Sequence, residues 1–288
     1  MSEAAGHDFN HLPPGAAGLG RVLARPKLVA VLCIVVLAVL GWAYLALLLA
    51  DMGGSVGGYA AGVVQALCRP LPDGSWSASG IAVIASMWSA MTLAMMLPSA
   101  APMIMTYAGI ADTAARKGER IVSPFVLAAG YNVVWLGFAV VATSVQVVVT
   151  RAALLDAGMA PASGLFTGAI FIGAGLYQFS ALKHACLTRC QQPFPFFFAN
   201  WATTSLGVFR LGVKQGFYCL GCCWAMMVVM FAVGVMNVVW MAGIGVVMTI
   251  EKMLTGRRFT YAVGVALIAT GAGIVLTAFA AHWPARMT

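Results

Sequence analysis

Of 288 residues, 62% are hydrophobic and only 8% are charged, where an average soluble domain carries about 25% charged residues; this chain is too apolar for a water-soluble globule. A mean hydropathy of +0.94 points to a polytopic membrane protein. The net charge of +8 is not read as a nucleic-acid footprint, because the basic residues fall in short segments between apolar runs, where they report orientation.

Residues 1–27 are polar and rich in Pro and Gly, and read as a cytoplasmic N-terminal tail. The apolar run that follows is too long for the core of a cleaved signal peptide, so no processing is expected. Windows able to span about 30 Å of hydrocarbon cover Leu28 to Ala50, Ile81 to Ile110, Pro124 to Thr150 and Leu165 to Leu182. Gln215 to Lys252 is too long for one helix and too apolar for a loop, so it divides near Gly234-Val235-Met236-Asn237. A last window runs from Phe259 to Ala281, followed by a short tail over 282–288. The expected fold is all-α: one transmembrane domain over 28–281 with about seven helices, the N-terminus cytoplasmic and the C-terminus outside.

Basic residues test that count. The inner segments would hold Arg21, Arg25, Lys27, Arg116, Lys117, Arg120, Lys183, Arg189, Arg210, Lys214, Lys252, Arg257 and Arg258. Outside there would be three: Arg69, Arg151 and Arg286. The asymmetry follows the positive-inside rule, and it disappears from the 252–258 cluster if the 234–237 division is removed. Such a chain belongs in a membrane, with the lipid bilayer as its first partner.

The connections differ in kind. Asp51 to Gly80 reads as an outer loop with Cys68 and Trp76. The inner connection 183–214 contains Pro193-Phe194-Pro195-Phe196-Phe197-Phe198-Ala199-Asn200-Trp201, whose two prolines argue against a regular helix at its start. Its aromatics suit the membrane interface or a site packed back against the bundle.

Sulfur is the unusual element. Tyr218 to Met230 holds three of seven cysteines and three of seventeen methionines. At about 100° per residue, Cys219, Cys223, Met226 and Met230 share a helix face, flanked by Cys222 and Met227. The preceding window ends in Lys183-His184-Ala185-Cys186-Leu187-Thr188-Arg189-Cys190, where Cys186 and Cys190 stand four apart on one helical side. The topology therefore gathers Cys186, Cys190, Cys219, Cys222, Cys223 and His184 at one level, facing a reducing compartment where thiols serve metals or catalysis more often than structural disulfides. Free cysteine is also a common small buried hydrophobe, which is the reading for Cys33 and Cys68.

Thirteen methionines concentrate in three windows: Met87, Met91, Met95, Met96, Met103 and Met105 in the second, with the others in the fifth and sixth. Methionine used only as adaptable filler should be spread more evenly. Met91, Met95, Met103, Met226 and Met230 are the candidate thioether ligands. Pro98 and Pro102 each free a backbone carbonyl and favour a kink in the second helix. Asn132, Gln146, Gln178 and Asn237 read as interhelical hydrogen-bond partners, and Glu251 as an interfacial residue. No acid–base pair, nucleophile triad or phosphate loop is visible.

Met91-x3-Met95-Met96-Leu97-Pro98-Ser99, Gly175-Leu176-Tyr177-Gln178-Phe179, Lys183-x2-Cys186-x3-Cys190 and Tyr218-Cys219-Leu220-Gly221-Cys222-Cys223-Trp224 occur in this order, followed by Gly234-Val235-Met236-Asn237-x2-Trp240-Met241 and Glu251-Lys252. Over roughly residues 81–255 they resemble the bacterial family described as predicted metal-binding integral membrane proteins. The resemblance implies metal binding in a membrane and no particular reaction.

Soft thiolate and thioether donors select Cu(I), zinc or iron–sulfur clusters. The expectation is Cu(I) handling, as a transporter or a membrane metallochaperone, with zinc as the alternative metal. A copper chaperone or metalloprotein partner fits such a role, as does a homo-oligomer; no nucleic acid is expected. The competing classes are a membrane metalloenzyme or thiol oxidoreductase using Cys219 and Cys222, and a structural or assembly subunit whose sulfurs only pack.

Overall fold

A computed structural model describes residues 32, 34–44, 77–119, 121–152, 154, 163–234 and 237–282. The expectations for both tails, Cys33, Cys68, Met236 and most of the 51–80 loop lie outside the described residues. Among the described residues the regular structure is helical, with no strand. In chain order the helices are α1 (Ile34–Tyr44), α2 (Ala78–Arg116), α3 (Pro124–Arg151), α4 (Gly164–Tyr177), α5 (Ala181–Gln191), α6 (Pro193–Ala199), α7 (Ser205–Val228), α8 (Met230–Val233), α9 (Val238–Met253) and α10 (Arg258–His282).

Among the described residues, four spans are long and apolar enough to cross a membrane: most of α2, α3, α7 with α8, and most of α10. The expected fourth span is broken. α4 stops at Tyr177, and α5 sets off at 64° to it. The break is built from Gln178-Phe179-Ser180, where the Ser180 side chain caps α5 by accepting from the Lys183 amide at 3.1 Å. The expected division after the fifth span is present: Gly234 turns the chain at φ 93°, which a residue with a Cβ rarely adopts. The Asn237 side chain then accepts from the Trp240 amide and starts α9, so Asn237 caps its own helix instead of bridging two.

The expectation that Pro193 and Pro195 prevent a regular helix fails. Pro193 and Pro195 open α6, a regular helix; in a first turn the missing amides have no intrahelical partner to lose. α2 runs through Pro98 and Pro102 without a break. Over 39 residues it is about 58 Å long at 1.5 Å per residue, well beyond the hydrocarbon thickness. Phe196 and Phe197 are buried, and Phe197 meets Tyr107 of α2 at 5.4 Å between ring centroids, so the aromatic segment packs back against the bundle.

The core centres on α2, α3 and α7. Gly130 of α3 faces the carbonyl of Phe209, and Gly212 of α7 faces the carbonyl of Leu127. A Cβ at either position would collide with backbone, so the two helices touch main chain to main chain, as small residues allow in membranes. Trp88 of α2 donates to Gln146 of α3 at 2.6 Å, an interhelical bond of the expected kind. Ten methionines of α2, α7, α8 and α9 are buried, including Met91, Met95, Met103, Met226 and Met230.

Three charged residues depart from expectation. Lys183 and Glu251 are buried and form an ion pair at 2.8 Å between α5 and α9. Glu251 is therefore an interior residue and not an interfacial one. Lys252, counted above as a loop residue, is also drawn inward, with its ammonium bonded to Ser99 of α2 at 2.7 Å. Of the basic residues counted above, Arg21, Arg25, Lys27, Arg69, Arg120 and Arg286 lie outside the described residues.

Candidate metal centre

α7 starts at Ser205, capped by the Thr204 side chain, ten residues before the expected Gln215. Cys219, Cys222 and Cys223 consequently lie past the middle of α7 and not in its first turns. All three are buried. Spacings of three and four residues put Cys222 and Cys223 on the same side as Cys219, one turn on. Their sulfurs lie within 4.8 Å of one another, with Cys222 Sγ and Cys223 Sγ 3.3 Å apart.

Other helices close the group. From α3, Tyr131 Oη stands 3.0 Å from Cys219 Sγ and donates to the Met96 carbonyl of α2 at 3.1 Å. From α9, Lys252 Nζ stands 3.0 Å from Cys219 Sγ. From α5, Cys190 Sγ approaches Cys222 Sγ to 4.0 Å. Cys186, one turn earlier on α5, seats its sulfur over Gly221, where a Cβ would collide with it. Tyr177 at the end of α4 donates to the Gly221 carbonyl. Cys190 and Cys186 are both partly exposed, unlike the buried three.

The other expected ligands lie in different surroundings. The His184 ring packs edge-on against Tyr261 of α10 at 5.2 Å, and His184 does not belong to the three-thiol group. Met226 accepts a hydrogen bond at 3.0 Å from the buried Gln178 amide at the α4–α5 break. Met95 packs against Gly245 of α9, and Met91, Met103 and Met230 are core residues. The stripe of sulfurs on α7 is thus buried along its length, although the helix is broken at Val229 and Met230 begins α8.

Tyr131 was not singled out in the sequence. Lys252 and Ser99 stand in the motifs above, Lys252 otherwise only as an inner-segment charge. A lysine within reach of an apolar window is a signal in itself, because intramembrane charges tend to mark function. Its place at the end of the window disguised it as a loop residue.

Three clustered thiols are a fit for a soft metal ion: each can supply a thiolate, and two or three such donors suffice for Cu(I), whereas carboxylate and carbonyl donors favour harder ions. No curated protein and no solved structure matches the chain. A family model described as PpoB2, copper chaperone, matches residues 85–274, about two thirds of the chain and a stretch that includes all the cysteines of the site. By this match over more than half of its length, the chain belongs to the PpoB2 copper-chaperone family.

Proposed function

We propose that this protein is a membrane-embedded chaperone for Cu(I) in the bacterial inner membrane, with the ion as its cargo. The observation that carries this reading is the buried group of Cys219, Cys222 and Cys223, with sulfurs within 4.8 Å of one another. Copper entering the reducing compartment is held there by thiolates, the donors that prefer its cuprous state. Cys190, 4.0 Å from Cys222, and Cys186 are the exchange ligands: partly exposed, they can take the ion from, or pass it to, a metalloprotein partner. Transfer by ligand exchange needs sites that also let go, and a partly exposed pair beside a buried trio provides two holding strengths. Met91, Met95, Met103, Met226 and Met230 are weaker thioether stations deeper in the core.

Seven spans with a cytoplasmic N-terminus remain the proposed topology. Among the described residues, four helical spans meet the length and apolarity of a crossing helix. The bent α4–α5 pair, α1 and α9 would complete seven, and the basic residues support the orientation.

The test is metal analysis of the full-length protein purified under reducing conditions, beside Cys219→Ser/Cys222→Ser/Cys223→Ser. The expected result is about one copper per chain in the parent and none in the variant. Copper in neither protein would overturn the reading, and zinc in place of copper would overturn the choice of metal. Cys186→Ser/Cys190→Ser should still load copper but release it more slowly to a soluble thiol acceptor. Flux into liposomes that slows in Met91→Leu and Met95→Leu would make the protein a transporter in place of a chaperone.

A further inference from the structure

The thiol group faces a cation. Lys252 Nζ lies 3.0 Å from Cys219 Sγ and 2.7 Å from Ser99 Oγ. The adjacent buried charges, Lys183 and Glu251, cancel one another at 2.8 Å. Among the described residues no carboxylate pairs with Lys252, so the last turn of α9 brings one net positive charge to the pocket.

A buried charge is stable only where another offsets it. A monovalent ion on two thiolates leaves one negative charge, which the ammonium neutralises. A divalent ion on the same two thiolates is already neutral, and the ammonium then stands uncompensated. To recover neutrality the divalent ion must draw in the third thiolate. Its tetrahedral preference then asks for a fourth ligand from beyond the group.

Building on the proposed metal site, we infer that Lys252 is its specificity-determining residue: its fixed charge favours a monovalent soft cation, Cu(I) or Ag(I), on two of the three thiolates over a divalent ion. Ser99 is a positioning residue that holds the ammonium at the sulfur. Lysine suits the task because it is a compact point charge, where the Arg fork spreads its charge over a plane.

The experiment is a competition titration of full-length protein, under reducing conditions, with Cu(I), Ag(I) and Zn(II) against a chromophoric chelator. The proteins are wild type, Lys252→Met and Lys252→Arg. Lys252→Met keeps much of the stem's apolar bulk and removes the charge; it should lose about tenfold or more in Cu(I) and Ag(I) affinity relative to Zn(II), since one charge of a buried pair is removed. Lys252→Arg should keep the selectivity of the parent within about threefold, as the charge is retained. A Cu(I)-to-Zn(II) ratio unchanged in Lys252→Met, in a wild type that binds Cu(I), would overturn this inference alone, as would a parallel loss of all three ions. A wild type that binds neither Cu(I) nor Ag(I) would overturn the chaperone reading beneath it. If Lys252→Met fails to accumulate, Lys252→Gln gives the same comparison with a neutral polar chain.

Discussion

Replacing Lys183 by Met should be among the most destabilising changes available outside the thiol pocket. Its ammonium is fully buried and lies 2.8 Å from Glu251, itself 2% exposed, so neither charge has water to fall back on. At an effective dielectric constant of about 20, two unit charges at that separation attract by roughly 6 kcal/mol, and desolvation offsets much of it. Removing one partner leaves a buried, unpaired carboxylate, and the usual cost is about 3–5 kcal/mol. Glu251 Oε1 has no hydrogen-bond partner among the described residues, so the orphaned carboxylate has little local help. The double variant Lys183→Met/Glu251→Gln should recover most of the loss, because replacing both members of a buried pair is often neutral. Thermal denaturation in detergent, followed by the reactivity of the buried thiols, checks both. Single variants as stable as the parent, or a double variant no better than the worse single, would refute the reasoning.

Tyr131→Phe removes a hydroxyl that meets Cys219 Sγ at 3.0 Å and the Met96 carbonyl at 3.1 Å. It should cost about 1–3 kcal/mol in the same denaturation assay and speed alkylation of Cys219, while copper stoichiometry stays at the parent value. Gly212→Ala would drive a Cβ into the Leu127 carbonyl. Backbone must move to admit it, so this variant should fail to accumulate in membranes, whereas Gly243→Ala, in open space, should accumulate normally. Gln146→Leu takes the acceptor from Trp88 Nε1 at 2.6 Å and should cost about 1–3 kcal/mol, visible as a lower midpoint in the denaturation curve.

Much of the fold was legible because hydrophobic length is a direct physical requirement of crossing a bilayer. The break at 234–237 was equally readable, since an apolar run of that length exceeds one span. The α4–α5 bend was hidden because Gln178, Phe179 and Ser180 are individually compatible with a helix; what ends α4 is tertiary burial of Gln178 against Met226 and capping by Ser180. Among the site residues, the cysteine spacings on α5 and α7 announced which sulfurs share a side, and the structure brings Cys190 to Cys222. Nothing in the spacing linked Tyr131 or Lys252 to Cys219, because that proximity arises from helix packing across sequence separations of 88 and 33 residues.

The bend also bears on how a buried ion could leave. Had α4 continued straight to Leu182, its last turns would have run along the bundle like the neighbouring spans. Turned by 64° from α4, α5 instead packs on α7 and lays Cys186 over Gly221 and Cys190 against Cys222. Two polar clamps fix it there: the Lys183–Glu251 pair at one end, and at the other Gln191, which donates to the Glu251 and Leu254 carbonyls. Both clamps grip the C-terminal turn of α9, the turn that carries Lys252 to Cys219. One short stretch, Glu251-Lys252, therefore sets both the charge beside the thiol group and the position of Cys186 and Cys190 at its edge. A displacement of Lys252 on metal entry would be transmitted to α5 through its neighbour Glu251. Weakening the Gln191 clamp, as in Gln191→Ala, should accordingly change the rate at which copper passes to an acceptor while leaving the affinity of the buried trio nearly unchanged. Equal changes in rate and affinity would instead make α5 part of the holding site.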